Sequence, residues 1–333
     1  MRVMSLLNIV IDTDQRRLAL QKWISTFLPH SPISIAPLAG DASFRRYFRV
    51  NYGDKSFVAM DAPPEKEDLT AFVAIAKAFQ GSDVRLPYIF SADLNNGFLL
   101  LSDFGDQQIL TALRPDTVDA LYHSAMDVLI KMQSCSDISG YCLPAFDADL
   151  FWREFDLFFT WYLQKNLGIN LSAQDESELR RIYQLLIDSA NEQPFVFVHR
   201  DYHSRNLMLC SDGQIGVLDF QDAVRGPITY DLVSLLRDCY IAWPDNQVEA
   251  WMSVFYAKLH RENRLALITF EKFSRWVDWM GLQRHLKCVG IFSRLCYRDQ
   301  KTSYLNEIPR VLNYILRICN RYPELSGLKK ILS

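Results

Sequence analysis

The residues most able to do chemistry are concentrated between His199 and Asp219. His199-Arg200-Asp201-Tyr202-His203-Ser204-Arg205-Asn206 places carboxylate, imidazole, guanidinium and carboxamide groups in one short loop, directly after the apolar run Phe195-Val196-Phe197-Val198. Leu207 to Cys210, the turn Ser211-Asp212-Gly213 and Ile215 to Leu218 then read as a hairpin that ends at Asp219. This order brings Asp201, Asn206 and Asp219 to one end of the hairpin. Oxygen ligands gathered there can hold a small hard cation at ~2.0–2.1 Å, and a positioned carboxylate can take a proton from a hydroxyl, worth about 10²–10⁴ in rate. Any one of these residues alone reads better as a cap for local backbone groups; the combination favours catalysis.

The elements that must carry this loop fall into two regions. Ile33 to Leu38, Phe44 to Val50, Ser56 to Met60, Tyr88 to Ala92 and Phe98 to Leu101 are short apolar or alternating runs, which predict strands. Asn51-Tyr52-Gly53-Asp54 and Asn95-Asn96-Gly97 join neighbouring runs as hairpin turns. Glu67 to Gln80 has helical spacing and stops at Gly81. After about residue 105 long helical patterns dominate, for example Val118 to Met132 and Trp251 to His260, interrupted only by the strand-like island 195–220. The expectation is an α+β chain with a β-rich lobe over 1–104 and a larger, mainly helical lobe over 105–333.

Composition bounds the rest. A chain of 333 residues that is 49% hydrophobic can bury substantial cores. Its 36 basic and 39 acidic residues give a formal charge of −3, so no global field favours nucleic acid or anionic membranes. Seven cysteines without a CxxC pair fit reduced thiols better than disulfides or a zinc site. No apolar run approaches the ~20 residues of a membrane helix, and Met1 to Ile11 lacks a cleavage pattern. A cytoplasmic monomer is expected.

The loop resembles the catalytic loop of protein kinases, in which an Asp orients the acceptor hydroxyl while an Asn five residues later and the Asp of a DFG-type motif bind Mg²⁺. The resemblance implies ATP and Mg²⁺, with Asp201 as base and Asn206 and Asp219 as metal ligands. With Asp219-Phe220-Gln221-Asp222 and Gly226-Pro227-Ile228-Thr229-Tyr230-Asp231-Leu232, the chain is similar to the aminoglycoside phosphotransferase and choline kinase superfamily. That implies a protein-kinase-like bilobal fold. It also implies a bracing role for Asp231 and a loop role for His199; His203 either contacts the γ-phosphate or orders the loop. Asp103-Phe104-Gly105 spells the metal motif but precedes the catalytic loop, so Leu101 to Asp103 are assigned to a hinge whose backbone meets adenine.

Gly40-Asp41-Ala42-Ser43-Phe44-Arg45-Arg46-Tyr47, Met60-Asp61-Ala62-Pro63-Pro64, Leu101-Ser102-Asp103-Phe104-Gly105 and Gly281-Leu282-Gln283-Arg284-His285-Leu286-Lys287 resemble one subgroup, the anomeric N-acetylmuramate/N-acetylglucosamine kinases of peptidoglycan recycling. An amino-sugar acceptor is implied. One departure stands out: Val58-Ala59-Met60-Asp61 puts Asp61 where a phosphate-binding lysine is expected. A bare carboxylate facing ATP would repel it, so Asp61 points elsewhere or a cation from Arg45, Arg46 or Arg49 compensates. The turn at Gly40 to Ser43 is expected to cover phosphates.

For the acceptor, Arg225, Arg284, His285, Gln283 and Lys287 are candidates, against a reading as solvated helix surface. The aromatic stretch Phe151 to Tyr162 reads as core, with Trp152 or Trp161 open to a sugar ring. Two other functions fit the motifs: an aminoglycoside or amino-alcohol kinase, which calls for an acidic cleft, and a nucleotide-binding pseudokinase, motivated by Asp61.

Overall fold

The computed structural model describes residues 15–28, 33–38 and 44–332 and divides into two compact units. The division is not a single point in the chain. One unit comprises Met1–Gln107, Ile138–Tyr141 and Leu209–Gln221; the other comprises Gln108–Asp137, Cys142–Met208 and Asp222–Ser333.

In the first unit the five predicted runs become β1 (Ile33–Pro37), β2 (Arg46–Tyr52), β3 (Lys55–Asp61), β4 (Ile89–Asp93) and β5 (Phe98–Ser102), each shifted by at most two residues. They form one antiparallel sheet in the order β1-β2-β3-β5-β4. Arg46 lies opposite Asp61, Phe48 opposite Ala59 and Val50 opposite Phe57, which assigns these six residues to one face. Helix α1 (residues 15–25) covers that face: Leu20 and Ile24, fully buried, pack with Phe48, Val50, Ala59 and Phe98. Helix α2 (Thr70–Ala78) follows β3. Its Phe72 stacks on Phe220 at 4.7 Å, so the segment that carries Asp219 packs into this unit. Arg85 strengthens the attachment, pairing with Asp212 at 2.8 Å while its carbonyl accepts from the Val217 N–H.

The second unit is mainly helical. Its long elements are α4 (Val118–Gln133), α5 (Ala148–Leu157), α6 (Ala173–Asn191), α7 (Tyr230–Leu236), α8 (Asp245–Arg261), α9 (Phe270–Tyr297) and α10 (Ile308–Arg321), after the short α3 (Ile109–Ala112). Strand β6 (Phe195–Val198) pairs antiparallel with β9 (Val224–Pro227). β7 (Leu207–Leu209) and β8 (Ile215–Val217) form the expected hairpin, which from Leu209 onward belongs to the first unit. α9 is the buried axis of this unit, with most of its side chains shielded from solvent. At Gly290 it passes so close to α5 that a Cβ would sit 2.4 Å from the Leu157 carbonyl carbon. Directly after Leu157 the helix widens into a π-helix over Phe158–Asn166. Phe151, Phe155, Phe158 and Tyr162 are buried, as the core reading of that stripe requires.

Candidate active site

The catalytic-loop residues lie in the second unit and are pinned by backbone bonds. Strand β6 delivers His199, whose N–H donates to Asp231 Oδ2 at 2.6 Å, and the Arg200 N–H donates to Asp231 Oδ1 at 3.0 Å. One buried carboxylate thus fixes two successive peptides, with Arg200 held at φ 76°, a left-handed conformation that an Arg adopts only where its surroundings enforce it. The Asp231 carboxyl is pushed up to about 6 by burial, against the lowering pull of His199 and the two backbone donors. The Asp201 carbonyl accepts from the His203 N–H at 3.0 Å and from Asn206 Nδ2 at 3.0 Å, so Asp201 and Asn206 come together as the loop closes. The Asn206 amide is thereby oriented, with its oxygen on the opposite side from that bond.

Beneath the loop is a network that sequence patterning did not identify. Glu154, on α5, accepts from Arg200 at 2.8 Å, Lys287 at 2.9 Å and Gln283 at 2.8 Å. Lys287 also donates to the Tyr230 hydroxyl at 3.0 Å, and the Arg284 guanidinium lies 5.3 Å from the Tyr230 ring. Burial alone would raise the Asp201 carboxyl. Lys287, the largest opposing influence, together with Arg284 outweighs burial and holds it at about 2. Asp201 is therefore ionised at any physiological pH.

The acceptor candidates on α9 are not helix surface: Gln283, Arg284, His285 and Lys287 are all buried. His285 is corrected to a core role, its Nε2 2.9 Å from the Arg237 carbonyl and its ring stacked on Tyr314 at 4.7 Å. Burial keeps it neutral, moving its pKa down from 6.5 to about 3. Arg284 and Lys287 are occupied by Tyr230 and Glu154. Trp152, considered for a sugar ring, packs against Tyr183 and Phe155, under Arg180. The Arg225 side chain is exposed on β9.

In the first unit the three arginines of the β2 region take three different partners. Arg46 joins Arg16 in clasping the fully buried Asp61, the Nε atoms lying 2.9 Å from its two oxygens. Asp61 therefore belongs to the α1 face and is neutralised there. Arg49 binds Asp103 at 2.6 Å and Asp106 at 2.7 Å, while Ser56 also donates to Asp103. Arg45 pairs with Glu67 at 3.3 Å and bonds to the Tyr47 hydroxyl. Burial carries Tyr47 up to about 12; Arg45 opposes this, and the charges of Asp219 and Glu67 add to it. Arg45, Glu67, Tyr47 and Asp219 thus form one electrostatic group. Asp219 stands at φ 64° and accepts from Gln221 Nε2 at 2.8 Å. Leu101 lies within β5, two residues before the Arg49-bound Asp103. Ser43 and the turn 40–43 lie outside the described residues.

Mg²⁺ uses one or two carboxylates and takes its remaining ligands from phosphates and water; the Asp219 carboxylate of the first unit and the Asn206 amide oxygen of the second are donor types that fit it. Among the described residues no group of three or more His, Cys, Asp or Glu forms an all-protein cage.

A model described as "Phosphotransferase enzyme family" matches residues 34–264. Over 330 residues the chain is 44% identical to the N-acetylmuramate/N-acetylglucosamine kinase of Pseudomonas aeruginosa, covering 96% of this chain and 97% of that one. The protein of the same name from Pseudomonas putida is 43% identical over 300 residues, 90% of this chain and 88% of the relative. A solved choline kinase from Streptococcus pneumoniae shares the fold, with TM-score 0.63 at 11% identity over 90% of this chain and 99% of the other. The α+β, bilobal kinase-like architecture expected from the motifs is therefore the one the chain adopts. Pinned catalytic loop, shared fold and a family match over most of the sequence lead to one conclusion: this chain is a kinase that belongs to the phosphotransferase enzyme family.

Proposed function

We propose that the chain transfers the γ-phosphoryl group of ATP to the anomeric hydroxyl of N-acetylmuramate and N-acetylglucosamine, forming sugar 1-phosphates for peptidoglycan recycling. The observation that carries this reading is the 44% identity, over nearly the whole chain, to a kinase named for these two sugars. Asp201, kept ionised, accepts the hydroxyl proton as the sugar oxygen bonds to the γ-phosphorus and the bond to the ADP oxygen breaks. Arg45, grouped with Asp219, serves as the phosphate cation in place of the missing lysine. Asn206 and Asp219 would hold Mg²⁺, which when bound offsets the phosphate charge. His203 remains assigned to the γ-phosphate, and the segment Leu101 to Asp103 to adenine.

On this reading the chain works as a monomer in the cytoplasm. Among the described residues no helix is long and apolar enough to cross a membrane. The cations Arg200, Arg205, Arg284 and Lys287 in and beneath the catalytic loop favour a neutral or anionic acceptor over a polycationic aminoglycoside. The clasp of Arg16 and Arg46 on Asp61 removes the feature that motivated a pseudokinase.

Phosphorus NMR with ATP, Mg²⁺ and a panel of N-acetylmuramate, N-acetylglucosamine, choline and an aminoglycoside tests the reading. A sugar 1-phosphate is expected, falling by about 10²–10⁴ in rate for Asp201→Asn. Turnover of choline or the aminoglycoside alone would overturn it.

A further inference from the structure

Among the described residues, Arg205 of the catalytic loop has an aromatic ring and no carboxylate as its partner. Arg200 and Lys287 go to Glu154, while Arg284, buried on α9, lies 5.3 Å from the Tyr230 ring and donates to the Arg200 carbonyl at 3.5 Å. The Arg205 guanidinium instead lies over the Tyr240 ring, its central carbon 3.6 Å from the centroid. Among the described residues it makes no ion pair. Partly buried, it immediately precedes Asn206 and follows Asp201 by four positions.

This stack is built rather than incidental. The buried Asp238 accepts from the Ser204 N–H at 2.9 Å and hydroxyl at 2.5 Å through Oδ2, and from the Tyr240 N–H at 2.8 Å through Oδ1. One carboxylate thereby locks both sides of the stack: the residue before Arg205 and the ring beneath it. His203 meets the same ring edge-on at 5.3 Å, and Phe292 stands 6.2 Å from it. An arginine held over an aromatic face by its central carbon keeps N–H donors at its rim for a carboxylate, which it can receive through two parallel bonds. A flexible lysine, or an arginine already paired, would not be preorganised in this way.

We infer that Arg205, held on Tyr240, is the acceptor-specificity residue and binds the carboxylate of a carboxylate-bearing amino sugar whose hydroxyl reacts at Asp201. The inference rests on the functional reading above, of which it specifies one contact. It predicts selectivity for N-acetylmuramate over N-acetylglucosamine, which lacks the carboxylate, through KM more than kcat.

The test is steady-state kinetics of wild type, Arg205→Met, Arg205→Lys and Tyr240→Leu with N-acetylmuramate, its methyl ester and N-acetylglucosamine. A charge-assisted bond implies that Arg205→Met lowers the N-acetylmuramate to N-acetylglucosamine ratio of kcat/KM by about 10–100-fold. Arg205→Lys and Tyr240→Leu should fall between it and wild type. Wild type, but not Arg205→Met, should discriminate the free acid from the ester. An unchanged ratio in Arg205→Met, or wild-type indifference to esterification, overturns the assignment alone. A wild type that phosphorylates neither sugar overturns the functional reading. Should Arg205→Met not fold, as judged by circular dichroism, the acid-to-ester comparison in wild type and the ratio in Arg205→Lys decide.

Discussion

The ionisation of Asp201 depends on residues far away in sequence. Lys287 is the strongest of the cations that lower its carboxyl, so Lys287→Met moves that pKa upward. The base then becomes protonated at a higher pH, and the acid limb of kcat/KM shifts upward, while Lys287→Arg largely preserves it. A pH–rate profile checks this; coincident acid limbs for wild type and Lys287→Met would refute it. The arginines near β2 separate in the same way. Arg45→Ala is expected to raise the KM for ATP by about 10-fold or more through loss of a charge-assisted contact. Arg46→Ala instead leaves a buried Asp61 with half its clasp, costing about 1–3 kcal/mol of stability. Paired nucleotide kinetics and thermal melts distinguish the two outcomes.

Among the elements, the close approaches depend on two glycines. A Cβ on Gly97, at φ 71°, would lie 1.8 Å from the Ala62 carbonyl oxygen, where the β5 hairpin returns against β3. No rotamer change relieves a clash between two backbones. Gly97→Ala is therefore expected to lower the urea midpoint markedly. Gly290→Ala, pushed against Leu157 and Phe158, should separate α9 from the α-to-π junction at a cost of about 1–3 kcal/mol. Because α9 carries Arg284 and Lys287, the second variant should also reduce turnover. Wild-type midpoint and activity in both variants would show that the helices and strands accommodate a methyl group.

Across the whole molecule, acid stability reflects two buried groups of opposite sign. His285 has a depressed pKa, so its neutral form contributes stability in full above 6.5, and this is lost as pH falls toward 3. The magnitude is on the order of 4 kcal/mol. Asp231, raised to about 6, acts the other way: it favours the folded state most below its unfolded value of ~4 and loses that contribution as pH rises through 6. Urea titrations from pH 7 to 4 should show a shallower decline for His285→Gln than for wild type. Equal slopes would show that His285 does not govern acid unfolding.

Local chemistry determined a large part of this protein. The alternating runs specify five strands because side chains on a strand point to opposite faces every second residue. The spacing from Asp201 to Asn206, followed by a hairpin and Asp219, is what put these residues forward as the proposed catalytic set, because a tight loop and a turn are local structures. The helix over residues 15–25 was not read from the sequence, although Leu20, Trp23 and Ile24 have helical spacing, because nothing local indicated what it covers. Tertiary structure decided the partners. Arg16 and Arg46 meet Asp61 only because α1 lies on one face of the sheet. Glu154, Asp238 and Tyr240 acquire roles only where α5 and the segment after α7 pack beside the loop. The polar residues of α9, which read equally well as solvated surface, are interior because that helix is surrounded on most sides. Charge and spacing are properties of the chain, whereas burial and pairing belong to contacts between distant segments, and it is these that decide which of several similar cations is free to meet a substrate.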